Sequence, residues 1–118
     1  MNKEQLDSWR INIFNSLRDR SDLELQKLAW TGKHPVYVSS FFESINTLYD
    51  DNAFKKYIDY IKVNESNKSQ LPSRIIELDK MLDNYMEEDK SDLEILDDPK
   101  WINITNTAKS IIELWVTN

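Results

Sequence analysis

Apolar residues recur along this chain at three- and four-residue steps, the spacing of amphipathic helices rather than the alternation of strands. Leu6, Trp9, Ile13, Phe14 and Leu17 form the first stripe and predict a helix over about 3–19. Asn2 and Gln5 have the spacing of a capping box at its start. Ser21 and Glu24 repeat that spacing and predict a second helix carrying Leu25, Leu28 and Ala29, closed by Gly32, the single glycine, at a position suited to left-handed backbone. His34-Pro35 then demands extended chain. Val36, Tyr37 and Val38 are too few for a strand without a partner and read as a connector. Ser40 and Glu43 open a third helix bearing Phe41, Ile45, Leu48 and Tyr49, and Asp50-Asp51-Asn52 is expected to cap a short fourth with Phe54, Tyr57, Ile58 and Ile61.

After an aperiodic stretch over 62–70, Pro72 suits a first helical turn, and Ile75, Leu78, Leu82, Tyr85 and Met86 continue a fifth helix. Leu93, Ile95 and Leu96 are compatible with one further turn. Asp98-Pro99 is a start signal, an N-cap acid before a first-position proline, for a last helix lined by Trp101, Ile104, Ala108, Ile111, Ile112 and Trp115. The expectation is an all-α fold: one domain over 1–118, a single compact bundle of five or six helices. Its expected core is Leu6, Trp9, Ile13, Leu17, Leu28, Ile45, Leu48, Ile58, Leu78, Leu82, Ile104, Ala108, Ile111 and Trp115. Of the two adjacent phenylalanines Phe41 and Phe42, only one can face that core.

Composition narrows the chemistry. With 118 residues the chain fits one domain that buries about two thirds of its unfolded surface. Having no cysteine, it can form no disulfide, thiolate–zinc or iron–sulfur site. A single histidine, His34, excludes sites with two imidazoles, and a single glycine excludes phosphate-cradling loops. A triad of His34 with Ser39 or Ser40 and Asp50 lacks the Gly-rich elbow and oxyanion loop such chemistry needs. Asp50-Asp51-Asn52 and Asp89-Lys90-Ser91-Asp92 lack the calcium-loop frame. No catalytic site, cofactor or metal is therefore expected. The longest stretch without Lys, Arg, Asp or Glu runs from His34 to Phe42, far short of the ~20 apolar residues of a membrane span. The charged start does not resemble a secretory peptide, so a cytoplasmic location away from membranes is expected.

Charge is concentrated. The net charge is −6, and 83–98 alone holds eight acids against Lys90. Such a field repels a nucleic-acid backbone and steers a basic protein toward itself. The expected docking residues are Asp83, Glu87, Glu88, Asp89, Asp92 and Glu94, with Trp30, Tyr37 and Phe42 as a fallback surface. Asp98 is set apart as a helix cap, and a solvated charge run is the plain alternative for the whole segment.

The stretches Gln26-Lys27-Leu28-Ala29-Trp30-Thr31-Gly32, Val38-Ser39-Ser40-Phe41-Phe42-Glu43 and Leu48-Tyr49-Asp50-Asp51, in a small, acidic, Cys-free helical chain, resemble the immunity proteins of bacterial polymorphic-toxin and contact-dependent growth inhibition systems. The resemblance implies a cytoplasmic protein, not an enzyme, that binds and blocks a cognate toxin, often a basic nuclease. It carries no binding residue over position by position. The alternative is a helical scaffold or regulatory subunit that grips a protein through an apolar groove, which salt should barely disturb.

Overall fold

The computed structural model describes residues 2–36, 38–65, 69–86 and 89–117. Seven α-helices follow one another among these residues: α1 Lys3–Arg20, α2 Leu23–Trp30, α3 Phe41–Asn46, α4 Phe54–Asn64, α5 Gln70–Tyr85, α6 Asp92–Leu96 and α7 Pro99–Thr117. A π-helical turn, Thr47–Asp51, joins α3 to α4, and no strand occurs among the described residues. The all-α expectation holds. The count exceeds five or six because 92–96 closes into a helix of its own, started by a Ser91–Glu94 capping box. That box is the device that lets so short a segment hold a turn.

Helix α7 is central, packed against α5 on one side and α1 on the other, while α4 lies on α5 and α6 on α2. Its inward face carries Trp101, Ile104, Ala108 and Ile111, all buried, and meets Ile13 and Leu17 of α1 and Ile75, Leu78 and Leu82 of α5 in one core. Ile45, Leu48, Phe54, Tyr57, Ile58 and Ile61 close that core from α3, the π turn and α4. Trp9 and Trp115 cover its edges half-buried. The Trp9 indole Nε1–H donates to Asn52 O at 2.8 Å, and Trp115 meets Phe14 edge-on at 5.5 Å.

Four local expectations are corrected. Leu6 is only half-buried and stands outside the core cluster. Leu28 is exposed rather than buried. Its helix turns the polar Gln26 inward, where Gln26 Oε1 accepts from Trp101 Nε1 at 2.8 Å and Gln26 Nε2 donates to Arg20 O at 2.9 Å. Two residues on, about 200° around the helix, Leu28 faces out. Ser21 ends α1 instead of opening α2: its hydroxyl donates to Arg18 O, and Asp22 caps α2 by accepting from Leu25 N–H at 3.0 Å. Asp50-Asp51-Asn52 does not cap α4. Asn52 N–H reaches back to Thr47 O at 3.0 Å and closes the π turn, and α4 starts from Ala53 in left-handed backbone at φ 51° with no side-chain cap.

Other signals hold. Asn2 and Gln5 form the capping box of α1, and Ser40 Oγ accepts from Glu43 N–H. Gly32 adopts φ +74°, while Lys33 and His34 N–H both donate to Leu28 O. A side chain would strain that left-handed residue.

Candidate partner-binding surface

The expected acidic surface begins at the end of α5. Asp83 is half-buried there and ion-paired to Lys55 of α4, which also holds Asp79 at 3.0 Å. Glu87 and Glu88 lie outside the described residues. Asp89 is exposed. Asp92, first residue of α6, is half-buried, and its Oδ1 accepts from Phe41 N–H at 3.4 Å, so the start of α6 abuts the start of α3. Glu94 is exposed and reaches back to Ser91 N–H at 3.2 Å. Those bonds from the Ser91 backbone and hydroxyl hold its carboxyl below the usual range.

Asp98 is the buried member of the run. Its Oδ1 accepts from Lys100 N–H at 3.0 Å, capping α7, while Oδ2 takes the Tyr85 hydroxyl at 2.7 Å and the Lys90 ammonium. The Lys90 bond, then the Tyr85 and backbone bonds, pull the carboxyl down to about 2. Lys90, the one cation of 83–98, is thereby committed to Asp98. Asp89, Glu94 and Asp97 are exposed and form no ion pair with any described residue. The segment thus divides: Asp83, Asp92 and Asp98 stitch elements together, and Asp89, Glu94 and Asp97 present negative charge to solvent.

The fallback residues part in the same way. Trp30 is half-buried, with its ring 6.1 Å from Phe41 and 5.8 Å from Trp101. Trp101 is fully buried and also meets Phe41 at 5.3 Å and Tyr85 at 5.5 Å. Phe41 therefore turns inward and Phe42, 71% exposed, outward. Tyr37 lies outside the described residues. His34 Nδ1 accepts from Val36 N–H at 3.2 Å, Ser40 Oγ caps α3, and Ser39 Oγ donates to Ser40 O at 3.4 Å. Each is engaged in local backbone chemistry. Among the described residues no three His, Asp or Glu side chains gather as a metal site, and no helix is long and apolar enough to cross a membrane.

Leu28, expected in the core, is exposed on α2, and Leu93 on α6, not among the expected docking residues, is exposed as well, as are Ile11, Val63 and Val116 elsewhere. A signal for Leu93 existed: with Ile95 and Leu96 it makes three apolar residues within four positions, more than one helix face can bury. Comparison with family models, with curated proteins and with solved structures finds no match to this chain.

Proposed function

We propose that the chain is a protein-binding inhibitor: an immunity protein that binds and neutralises a cognate bacterial toxin of basic charge, with α6 and its flanks as the contact. One observation carries this reading. Asp89, Glu94 and Asp97 are exposed in the same short segment as Leu93, itself 66% exposed, while Lys90 pairs with Asp98. An exposed apolar residue in a segment of exposed carboxylates has the anatomy of an interface centre with a charged rim. The rim would steer a basic partner, and the centre would slow its release. The test is co-expression with the polypeptide encoded immediately upstream. Relief of growth arrest and a complex whose association slows steeply with salt support the reading, and a harmless upstream product that does not bind overturns it.

In this reading the chain acts by occlusion and not by catalysis, so His34→Ala leaves protection intact. A second reading, a regulatory subunit that binds through an apolar groove, is favoured by the exposure of Leu28 and Leu93. Association that is indifferent to salt selects it.

A further inference from the structure

One face of α1 stays outside the core. Asp7, Ile11, Phe14 and Arg18 follow at three- and four-residue steps, so they lie within about 60° of one another around the helix. Ile11 is 58% exposed, and Phe14 is half-buried with its ring edge-on to Trp115 of α7 at 5.5 Å. With Arg10 and the exposed Val116 they line an open, mostly apolar cavity of about 260 Å³ between the two helices. Asp7 and Arg18 are exposed at either end of the stripe and form no ion pair with any described residue. Arg10 is already held by Glu65 at 2.9 Å. On the Val116 side of α7, Lys109 and Glu113 are exposed and add one charge of each sign. The face is therefore neutral in a chain of net −6, so two copies meet there with little of the repulsion that the rest of the surface would impose.

The order of these residues selects the occupant. The midpoint between Asp7 and Arg18 is also the midpoint between Ile11 and Phe14, and it falls between Asn12 and Ile13. A two-fold axis crossing α1 there lays a second α1 antiparallel on the first. Each Asp7 then stands opposite Arg18 of the other copy, and each Ile11 packs beside Phe14. The stripe is about 16 Å long, so at the ~20° crossing of antiparallel helices its charged ends stay within reach of one another. The helix dipole accounts for an acid near the start of α1 and a base near its end. It does not account for exposed apolar residues centred between them. We infer that this face of α1, with the end of α7 beside it, is an isologous contact between two copies of the chain, each cross-pair being made twice. The contact uses α1 and α7 and is independent of the inhibitor reading, which concerns α6.

The test is sedimentation equilibrium of the full chain from about 1 μM to 1 mM, over which the parent should pass from monomer to dimer. Asp7→Arg and Arg18→Asp each set like charges against each other at both ends of the contact and should weaken the dimer about tenfold or more. Mixed in equal amounts, the two variants again oppose acid to base at both ends and should pair with each other about as tightly as the parent does. A chain carrying both substitutions should recover in the same way. Ile11→Ser should weaken the dimer about tenfold or more, while Leu28→Ser, at an exposed apolar residue of α2, should leave it unchanged. All of these side chains except that of Phe14, which is left intact, are exposed, and unchanged far-UV circular dichroism certifies each fold. A parent that stays monomeric throughout overturns the contact. So do single reversals without effect, a mixture of the two that fails to pair, or a dimer that Leu28→Ser disrupts and Ile11→Ser does not.

Discussion

Two clusters in this protein are built from the same three types of side chain, tyrosine, aspartate and lysine, and tie down different elements. In the first, the Tyr49 hydroxyl donates to Asp79 at 2.9 Å, Lys55 pairs with Asp79 at 3.0 Å, and the Lys55 ammonium sits 5.6 Å from the Tyr49 ring centroid. In the second, Tyr85 donates to Asp98 at 2.7 Å, Lys90 pairs with Asp98, and its ammonium sits 5.8 Å from the Tyr85 ring. Helix α5 supplies Asp79 to one and Tyr85 to the other. The first ties the π turn and α4 to the middle of α5, and the second ties the end of α5 to the start of α7. They differ in what else the aspartate does. Asp79 shares its lysine with Asp83, whereas Asp98 also caps a helix. The difference teaches that formal charge overstates the outward field of 83–98, because its fold-bearing acids have spent their charge inward.

The largest expected effect comes from the shared support of the second cluster. Trp101→Ala removes a fully buried indole that packs on Tyr85 and leaves Gln26 Oε1 without its donor. It should cost about 3–5 kcal/mol in urea unfolding. Trp101→Phe should recover part of that, since packing returns and the hydrogen bond does not. An effect below about 1 kcal/mol would remove Trp101 from the centre of the fold.

Next in size is Tyr49→Phe, which deletes the hydroxyl that donates to the buried Asp79. A hydrogen bond to a charged acceptor is worth about 1.5–3 kcal/mol, and the lower end suits this half-buried ring. Its pH signature lies on the alkaline side. Burial, then Asp79, push the Tyr49 hydroxyl well above its ordinary value, and Tyr57 is raised to about 12 by burial and Glu65. Burial pulls Lys55 down, but its bonds to Asp83 and Asp79 outweigh that and raise it. Groups raised in the fold lend stability below their unfolded values of about 10 and lose it as pH climbs past them, because the unfolded chain releases protons first. Tyr49→Phe should flatten the loss above about pH 10, as followed by thermal melts.

The second cluster should fail on the acid side. With its carboxyl held at about 2 in the fold against an unfolded value of about 3.9, Asp98 stabilises above that unfolded value. The contribution is lost as pH falls from about 4 to about 2, where the unfolded chain takes up the proton first. Asp98→Asn keeps a good N-cap side chain and should shrink that acid slope. An acid slope that is unchanged in this variant would remove Asp98 as its source.

The helices were legible in the sequence because apolar spacing and caps act locally: the Asn2–Gln5 box, Gly32 and the Asp98-Pro99 start all appear in the structure. What stayed hidden depends on partners distant in sequence. Gln26 looks like a surface residue until Trp101, 75 positions away, takes its side chain inward and turns Leu28 out. Asp83 and Asp92 look like members of one charged run until Lys55 and Phe41 N–H claim them. The π turn was invisible because Asp50-Asp51-Asn52 carries cap chemistry, and only the Trp9 bond to Asn52 O and the Thr47 ring closure show how that segment is used.

The smallest effect on stability should come from the acids that face solvent, and there the central claim is tested most directly. Asp89→Asn, Glu94→Gln and Asp97→Asn together remove charge while keeping shape, and glutamine can still complete the Ser91 capping box. Unfolding free energy should stay within about 0.5 kcal/mol of the parent. Stopped-flow association with the upstream-encoded polypeptide at low salt is then the decisive measurement. A markedly slower on-rate, with little change in dissociation and a shallower salt dependence, is the expected result. An unchanged on-rate and salt slope in this triple variant would contradict charge-led docking through α6.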